Sequence, residues 1–261
     1  MNTSIVFVYH NRPIQLKNTI DSYNLFYTGK EGIEIVAVDD SSTDPDVLLR
    51  ILKENLKIPY IHKYIDRKHI PLRNPCKVYN EAVKLATYEN IIITNPENAH
   101  ANDIVSHVEN NLTPNSYLVY GTKTVKCPES FADLLEFERK YIIPDDPDAV
   151  KGWYQHSKYN NRMLHFLTAI KKKDFLRIGG FDENYDKGYA VDDDDLICTI
   201  LNAKFQIKIF DEPYCYHQSH KRPQQLNTHD LYLTNMGYFI NKWGGLPQET
   251  RERLLEILCN E

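Results

Sequence analysis

Residues 33–44 read IEIVAVDDSSTD, an apolar run that ends at two aspartates and a polar turn. The run Ile33–Val38 is almost continuously apolar, which is typical of a strand buried on both faces of a parallel sheet. Asp44 and the proline after it form the start signal of a helix, with the aspartate as the predicted cap. This cap leaves the carboxylates of Asp39 and Asp40 without a capping role at the end of the strand.

The chain on both sides of this stretch alternates between short apolar runs and segments in which apolar residues recur at helical spacing. We predict strands over Ser4–Tyr9, Ile33–Val38, Tyr60–Ile65, Ile91–Thr94, Tyr117–Tyr120 and Phe205–Phe210. We predict helices through Leu16–Tyr27, after Asp44-Pro45 and Asn74-Pro75, over Asn102–Asn110 and Ser130–Tyr141, after the acidic run 192–195, and twice within Asp230–Glu261. This alternation predicts an α/β fold with a mostly parallel central sheet flanked by helices and a C-terminal helical tail. No repeat or low-complexity linker divides the chain, so we predict a single domain over residues 1–261.

The composition limits the classes of function. The chain has 261 residues and a formal net charge of -5, so it lacks the basic balance of nucleic-acid binders, and we expect no nucleic-acid partner. No apolar run approaches the roughly 20 residues that span a bilayer, and the N-terminal residues lack the basic start and cleavage site of a signal peptide. Five cysteines without a C-x-x-C pair are typical of reduced thiols. We therefore expect a cytoplasmic protein with at most a peripheral contact to membranes, and the sequence leaves its oligomeric state open.

Three polar clusters follow predicted strands. They are YHNR at Tyr9–Arg12, DDSSTD at Asp39–Asp44 and NPENAH at Asn95–His100. In open α/β sheets, ligands bind beyond the carboxyl ends of the strands, so these clusters predict a binding site at one edge of the sheet. The alternative is that the clusters are only turns, in which aspartate and asparagine are common.

Two phosphate-binding motifs are missing from the sequence. No G-x-G-x-x-G follows the first predicted strand, and no G-x-x-x-x-G-K-[ST] occurs, which argues against a dinucleotide-binding fold or a P-loop. A phosphate at this edge of the sheet must therefore be held by a metal or by side chains.

Asp192–Asp195 is a run of four aspartates directly before an apolar segment. The helix dipole favours acidic residues at a helix N-terminus, but one or two would satisfy that role. Four adjacent carboxylates repel one another and need a cation or a hydrogen-bond donor nearby. One of them can act as a general base, since like charges raise its pKa toward neutrality. The alternative is a solvated charged face.

Two histidines and a tryptophan are further candidates. His217 and His220 follow the predicted strand Phe205–Phe210, and an imidazole can join carboxylates and phosphate oxygens around a divalent cation. Trp153 lies in the polar stretch GWYQHSKYNN, where its face can stack on a sugar ring. Structural or solvated histidines and a core tryptophan are the alternatives.

The order of these motifs resembles the nucleotide-sugar-dependent glycosyltransferases of the GT-A fold, close to the family 2 inverting enzymes. The chain has a strand with YHNRP, then VDDSSTD, a strand-end turn, GGFDE, an acidic D-D-L and a late histidine. The segment IGGFDENYDKGYAVDDDDL is also similar to the GG-F-x-E…G-x-E-D-D-D-L segment of galactosyltransferase-like members. The resemblance implies a nucleotide-sugar-binding half over 1–120, an acceptor and catalytic half over 121–225 and a helical tail over 226–261.

The resemblance implies roles for individual residues. The donor-side candidates are Tyr9, Asn11, Asp39, Asp40, Arg73, Asn80 and Asn95, with Trp153 added for sugar stacking. Aligning AVDDDDL with G-E-D-D-D-L puts Asp193 on the general-base aspartate, with Asp192 beside it. The implied reaction is an in-line displacement in which Asp193 deprotonates an acceptor hydroxyl and the nucleoside diphosphate leaves from the opposite face of the sugar. The implied partners are a nucleotide sugar, with UDP-sugars favoured, and a glycan or glycoconjugate acceptor.

The expected metal site departs from the family pattern. A D-x-D turn in the family holds the metal that bridges the donor phosphates, and the N-P-E turn stands in its place here. Glu97 keeps the last carboxylate of the turn, and Asn95 replaces the first. His217 or His220 falls at the position where related enzymes have a C-terminal metal ligand. This set implies a divalent cation, Mn2+ or Mg2+, that binds weakly or is dispensable.

Two other functions fit parts of the sequence. A catalytically impaired nucleotide-sugar-binding module would explain the N-P-E turn, although the intact acidic run favours an enzyme. A sugar-1-phosphate nucleotidyltransferase would need a glycine-rich loop near the N-terminus, and VYHNRPIQL contains no glycine. A purely structural interaction domain would not explain why polar clusters recur at strand ends.

Overall fold

The computed structural model describes residues 2–67, 74–143, 149–220 and 228–244. Its strands are β1 (Thr3–Tyr9), β2 (Ile33–Asp40), β3 (Tyr60–Ile65), β4 (Asn90–Thr94), β5 (Asn98–His100), β6 (Ser116–Val125), β7 (Trp153–Gln155), β8 (Leu167–Lys171) and β9 (Gln206–Gln218). Its helices are α1 (Pro13–Tyr27), α2 (Val47–Asn55), α3 (Cys76–Leu85), α4 (Ile104–Asn111), α5 (Phe131–Glu136), α6 (Glu138–Tyr141), α7 (Lys172–Arg177), α8 (Asp192–Asn202) and α9 (Thr228–Trp243), with a 3₁₀ helix at Glu183–Lys187.

The strands form one sheet in the order β3-β2-β1-β4-β8-β6-β9-β5, with β7 against β6. β1 pairs in parallel with β2 and β4, and β2 pairs in parallel with β3. β8 then runs antiparallel between β4 and β6, and β9 runs parallel to β6. Six of the described strands therefore point the same way, and the carboxyl ends of β1, β2 and β4 meet at one edge.

Side chains of the central strands alternate between two cores, one on each face of the sheet. Ile5 and Phe7 of β1 pack with α1, α2 and α4, whereas Val6 packs with α3 and α8 on the other face. Burial on both faces explains why the central strands are near-continuous apolar runs. The predicted α/β architecture, with a mostly parallel sheet between helices, is confirmed.

Several helix bounds differ from the sequence prediction. α2 begins at Val47, two residues after its predicted start, and α3 begins at Cys76, one residue late. Asp44 is not the cap of α2, because its Oδ1 accepts a hydrogen bond from the N–H of Asp46 at 3.0 Å in the turn before the helix. The single helix predicted over Ser130–Tyr141 is two short helices, α5 and α6.

Three strands lie where none was predicted. β5 and β7 have three residues each, which is too short for a period-two pattern to show. β8 has only five residues and runs directly into the lysines of α7, so the sequence shows no separate strand signal there. β6 and β9 extend beyond their predicted ends across a register shift, where a Cβ at Gly121 would lie 2.6 Å from the carbonyl oxygen of Asp211.

The C-terminal part of the chain is described through α9. This helix confirms one of the two helices predicted for the tail, and the other falls on residues 245–261, outside the described residues. No helix in the described ranges is both long and apolar enough to cross a bilayer.

Candidate active site

A cavity of about 830 Å3 opens where the loops after β1, β2 and β4 meet the start of α8. Its lining side chains with charge or hydrogen-bonding capacity are His10, Asn11, Arg12, Asp40, Ser41, Thr43, Asn74, Tyr79, Asn95, Glu97, His165, Tyr189, Asp192 and Asp193. The structure therefore brings all three polar clusters and the acidic run to one cavity, although they come from distant parts of the sequence.

The loops after β1 and β2 are tied to each other at the cavity wall. Asn11 has a left-handed backbone with φ 50°, and its Oδ1 accepts a hydrogen bond from the N–H of Thr43 at 3.0 Å. The N–H of Asn11 donates to Oγ of Ser42 at 3.2 Å, and the N–H of Ser42 donates to Oδ1 of Asp39 at 2.7 Å. Asparagine tolerates the left-handed region better than most residues, which suits it to this position. Asn11 faces the cavity, whereas Asp39 is fully buried beneath the loop.

Tyr9 is also fully buried and lies opposite Asp39 in the pairing of β1 with β2. Burial raises the pKa of its hydroxyl to about 12, so the group is neutral at physiological pH. Neither Tyr9 nor Asp39 belongs to the cavity lining. The structure thus places these two predicted donor residues beneath the loops that line the cavity.

Asp40 lines the cavity, but its carboxylate is already engaged by Arg67, a residue that the sequence analysis did not select. Nε and Nη2 of Arg67 donate to the two oxygens of Asp40 at 2.9 and 2.8 Å. Arg67 also donates to Asp186 at 2.6 Å and to the carbonyl oxygen of Asn74 at 2.9 Å. Both partners of the pair are only 4% exposed. A buried bidentate pair is strong and directional, so Arg67 ties the end of β2 to the 3₁₀ helix that contains Asp186.

Asn80 lies outside the cavity lining and supports the GGFDE turn instead. Its side chain donates to the carbonyl oxygen of Phe181 at 2.8 Å and accepts from the N–H of Phe181 at 2.9 Å. A Cβ at Gly180 would lie 2.5 Å from Oδ1 of Asn80, so the second glycine of the motif is required for this close approach. The amide group of Asn80 is therefore used within the protein.

Two other predicted donor residues remain, and only one of them lies in the described part of the chain. Trp153 lies in β7, with its ring 5.6 Å from that of Tyr214 and Nζ of Lys123 5.3 Å from its ring centroid. It is absent from the described cavity lining. Arg73 falls outside the described residues.

The N-P-E turn after β4 forms one wall of the cavity. The hydroxyl of Tyr79 donates to Oδ1 of Asn95 at 2.6 Å, so α3 holds this side chain in place. Glu97 lines the cavity and is only 9% exposed. The pairing of β5 with β9 sets Asn98 opposite His217, which brings the late histidines beside Glu97.

Glu97, His217 and His220 form a compact cluster of possible metal ligands. Oε1 of Glu97 lies 3.8 Å from Nε2 of His217 and 3.4 Å from Nε2 of His220, and the three ligand atoms fall within 4.8 Å of one another. Ligands bound at about 2.0–2.2 Å stand roughly 3 Å apart, so these residues fit a divalent ion after a small closure. Burial alone raises the pKa of Glu97, but the two histidines beside it hold this pKa below its ordinary value.

The last aspartate of the acidic run, Asp195, is bound by the C-terminal helix. Its carboxylate accepts hydrogen bonds from Nε1 of Trp243 at 2.7 Å, from Nζ of Lys242 at 2.9 Å and from the hydroxyl of Tyr185 at 3.0 Å. Asp195 is 2% exposed. The cation and donors that the run was expected to need are therefore supplied, for this residue, by α9 and the 3₁₀ helix.

The first two aspartates of the run face the cavity. Oδ1 of Asp192 accepts a hydrogen bond from the side-chain amide of Asn74 at 2.8 Å. Oδ1 of Asp193 lies against Nδ1 of His165 and accepts from the backbone N–H of His165 at 3.3 Å. His165 was not selected from the sequence, because a single histidine before an apolar run has no local signature of function.

The environments of these two carboxylates push their pKa values in opposite directions. Burial and the neighbouring charge of Asp193 raise the pKa of Asp192 to about 7. Burial would also raise the pKa of Asp193, but the charge and hydrogen bonds of His165 hold it below its ordinary value. Neighbouring acids with separated pKa values are typical of sites that perform acid–base chemistry.

The chain enters α8 through two residues with left-handed backbones, Ala190 at φ 56° and Val191 at φ 70°. This conformation is strained for a β-branched residue, and such strain clusters at functional sites. The side-chain amide of Asn235 in α9 donates to the carbonyl oxygens of Ala190 at 2.9 Å and Tyr185 at 3.1 Å. The C-terminal helix therefore helps to hold the strained entry to the acidic run.

Residues 153–221 match a family model described as the N-terminal domain of galactosyltransferase. This range contains His165, Asp192 and Asp193 of the cavity lining, together with His217 and His220 of the possible metal site. The match confirms the galactosyltransferase-like segment that the sequence predicts. No curated protein matches the chain in sequence.

Solved structures show the same fold. The mannosyltransferase PcManGT from Pyrobaculum calidifontis, in complex with GDP-Man and Mn2+, is 17% identical over 98% of this chain and 68% of its own, with a TM-score of 0.60. S. aureus TarS 1-349 in complex with UDP is 15% identical over 99% of this chain and 71% of its own, with a TM-score of 0.65. The complex of the same TarS fragment with UDP-GlcNAc is 14% identical, covers 99% and 72%, and has a TM-score of 0.63. The predicted GT-A fold is confirmed.

Proposed function

We propose that this protein is a glycosyltransferase that moves a sugar from a nucleoside-diphosphate sugar, with UDP-sugars favoured, to a hydroxyl of a glycan or glycoconjugate. The observation that carries the proposal is the cavity at the edge of a GT-A sheet, where the carboxylates of Asp192 and Asp193 meet the Glu97 turn. The likeness to structures solved with UDP, UDP-GlcNAc and GDP-Man supports a nucleotide sugar as the ligand.

The nucleoside of the donor would lie over the loops after β1 and β2. Asn11 and Asp40 line this part of the cavity, and each carboxylate oxygen of Asp40 can accept another hydrogen bond beside those from Arg67. Arg12 adds a permanent cation to the same lining, which suits the charge of a diphosphate. Tyr9 and Asp39 would act indirectly, by supporting these loops from below.

We further propose that Glu97, His217 and His220 hold a divalent cation. When bound there, such an ion would neutralise charge on the diphosphate leaving group. One carboxylate with two imidazoles suits first-row transition ions such as Mn2+ better than Mg2+, which prefers an octahedral shell of oxygens. Asn95 would contribute an amide oxygen at most, and the hydroxyl of Tyr79 already donates to it.

Asp193 is the proposed general base, and the reaction would invert the configuration at the anomeric carbon. Asp193 lines the cavity and is more exposed than Asp192, so an acceptor hydroxyl can reach it. The base would remove the hydroxyl proton as the oxygen attacks from the face opposite the leaving diphosphate. Asp192 stands beside it with a pKa of about 7, and the two carboxylates would share the incoming proton as one titrating unit.

The decisive experiment combines donor binding with turnover. We expect one nucleotide sugar in a panel of UDP- and GDP-sugars to raise the Tm of the protein, more strongly with Mn2+, since binding to the folded state stabilises it. With that donor, Asp193→Asn should lower turnover or donor hydrolysis by about 10²–10⁴-fold, the usual contribution of a general base. Asp194→Asn is the matched control, because Asp194 belongs to the same run but not to the cavity lining.

The outcome also separates the proposal from its main rival. Donor binding without turnover, in wild type and variants alike, would identify a nucleotide-sugar-binding module instead of an enzyme. Normal turnover in a folded Asp193→Asn variant would reject Asp193 as the base. We place the activity in the cytoplasm, in line with the free thiols of the four described cysteines.

A further inference from the structure

His165 lies beside Asp193, the proposed general base. It lies just before β8, is 8% exposed, and contributes to the cavity lining beside the acidic run. Its ring contacts Oδ1 of Asp193 through Nδ1, and its backbone N–H donates to the same oxygen at 3.3 Å. One residue thus holds one carboxylate oxygen from two directions.

The imidazole itself is fixed by aromatic neighbours. The ring of Tyr79 in α3 stands edge-on to His165 with centroids 5.1 Å apart, and the ring of Phe181 stands edge-on at 5.1 Å. Tyr79 and Phe181 are also stacked on each other at 5.3 Å. The two packed rings leave the imidazole little rotational freedom, so its contact holds the Asp193 carboxylate in a defined orientation.

We propose that His165 is a positioning residue for Asp193: its ring and its backbone N–H hold this carboxylate in place, and its imidazolium form pairs with the charge of the carboxylate in the cavity. The inference rests on the proposed function, because it assigns a role in the deprotonation of the acceptor. It follows from the two contacts with Asp193, the burial of the imidazole and the aromatic packing around it.

The charged groups around His165 favour the imidazolium form. Asp192 and Asp193 of α8 face it, and Glu97 of the turn after β4 acts from further away, whereas the charge of Arg162 acts on Asp193. Burial lowers the pKa of His165, but Asp193 and the other two acids raise it above its ordinary value. The positive charge of one imidazolium therefore stabilises two carboxylates. It stabilises the ionised form of Asp193 more strongly, because Asp193 is in direct contact with it. This leaves Asp192 as the member of the pair that binds a proton near neutrality.

The pH dependence of turnover gives the first test. His165→Gln removes the cation but keeps a hydrogen-bond donor, so the pKa values of Asp192 and Asp193 should rise together. We expect the acidic limb of the kcat profile to move to higher pH by at least about one unit, with a tenfold lower kcat at pH 6 and a smaller loss at pH 9. KM for the donor should change little, because the nucleotide loops are untouched.

A control variant is available in the same chain. His156→Gln makes the same substitution at a histidine that lies 3.6 Å from Asp211 and outside the cavity lining. Its kcat profile should overlay that of the wild type. The proposed charge role would be overturned if the kcat profile of His165→Gln also matched the wild-type profile. It would equally be overturned if kcat of His165→Gln were lower by the same factor at all pH values.

A second measurement does not depend on activity. Titration of the His165 imidazole by NMR should give a pKa above the ordinary value near 6.5 in the wild type, and a lower pKa in Asp193→Asn. Equal pKa values in the two proteins would show that the pair is not charge-coupled, and the inference would fail. If the wild type shows no turnover with any donor, the proposed function fails. The NMR titration would then still show whether His165 and Asp193 are charge-coupled.

Discussion

Glu97, in the N-P-E turn, supplies a single carboxylate beside two histidines. His217 and His220 stand 3.8 and 3.4 Å from its Oε1, so loss of this carboxylate would leave the cluster without an anionic ligand. We expect Mn2+ to raise the Tm of the wild type, and Glu97→Gln to weaken Mn2+ binding by at least about 10–100-fold, since even outer-shell changes cost that much. Thermal shift across a Mn2+ titration measures the effect.

The matched control for this site is Glu31→Gln, which makes the same change at an exposed position. It should leave the Mn2+ response unchanged. Mg2+ should stabilise the wild type less than Mn2+ at equal concentration, because two of the three ligands are imidazoles. A Glu97→Gln protein that responds to Mn2+ like the wild type would remove this cluster from the mechanism.

Asp192 is expected to lower the stability of the fold at neutral and alkaline pH. Its folded-state pKa is raised to about 7 from an ordinary value of 3.8, so the folded protein retains a proton that the unfolded chain loses between these pH values. The stabilising contribution of the protonated group is present below about pH 4 and is lost as the pH rises through 7. Asp192→Asn resembles the protonated form and should raise the Tm by a few degrees at pH 8.

The same variant should show no comparable gain at pH 3, where Asp192 is protonated in the folded protein and mostly protonated in the unfolded chain. Its side-chain oxygen can still accept the hydrogen bond from Asn74, so the packing is retained. Asp194→Asn should give no comparable rise at pH 8, because Asp194 is half-exposed at the start of the same helix. A lower Tm for Asp192→Asn at pH 8 would mean that the ionised carboxylate stabilises the fold.

The contact between α8 and α9 ties the acidic run to the C-terminal helix. Lys242 donates to Asp195 at 2.9 Å and to Asp182 at 2.7 Å, and Trp243 donates to Asp195 at 2.7 Å. Lys242→Met would leave the buried carboxylate of Asp195 without its cation. We expect a loss of about 1.5–3 kcal/mol in the free energy of unfolding, the usual contribution of a hydrogen bond to a charged group.

Denaturant unfolding measures this loss, with Lys173→Met as the control at an exposed position of α7. If the loss of stability arises from the unpaired charge of Asp195, a second substitution that removes this charge should restore stability. The double variant Lys242→Met with Asp195→Asn should therefore be more stable than Lys242→Met alone. If the double variant is less stable than the single one, Asp195 is not the residue that requires the cation.

The elements of this fold could be predicted from the sequence to the extent that their signals are local. β1, β2 and β4 are apolar runs that end in polar turns, and these residues fixed both the sheet and the edge where the cavity lies. β8 could not be predicted in the same way, because its pairing with β4 and β6 depends on residues far away in the sequence. A short strand beside a lysine-rich helix has no pattern of its own.

The same reasoning separates the candidate residues that the sequence indicates from residues that it does not indicate. Asp193 and Glu97 could be selected as candidates because adjacent acids and a strand-end carboxylate are visible in a short window of sequence. Arg67 and His165 were missed because each owes its role to a partner 27 or 28 residues away. Asp40 was found as a cavity residue, but its engagement by Arg67 could be seen only in three dimensions.

At the scale of the whole molecule, the sheet interleaves the two halves of the chain. β8 lies between β4 and β6, and β5 of the first half pairs with β9 of the second. Separation of residues 1–120 from the rest would expose the edge of β4 and leave β5 unpaired. We therefore expect the described part of the chain to unfold as one cooperative unit, and a fragment of residues 1–120 to remain unfolded in isolation.

Two tryptophans allow this cooperativity to be measured at separate places, since Trp153 lies in β7 and Trp243 ends α9. Trp153→Phe and Trp243→Phe each leave one fluorescent reporter, although the second also removes a hydrogen bond to Asp195 and should lower stability. In each variant, fluorescence and far-UV circular dichroism should report the same midpoint.

The cavity is lined by loops of the first half and by α8 of the second, so a bound donor with Mn2+ contacts both. The donor should therefore raise both midpoints of each variant by the same amount. A fluorescence midpoint that responds to the donor while the dichroism midpoint does not would show that the halves fold independently.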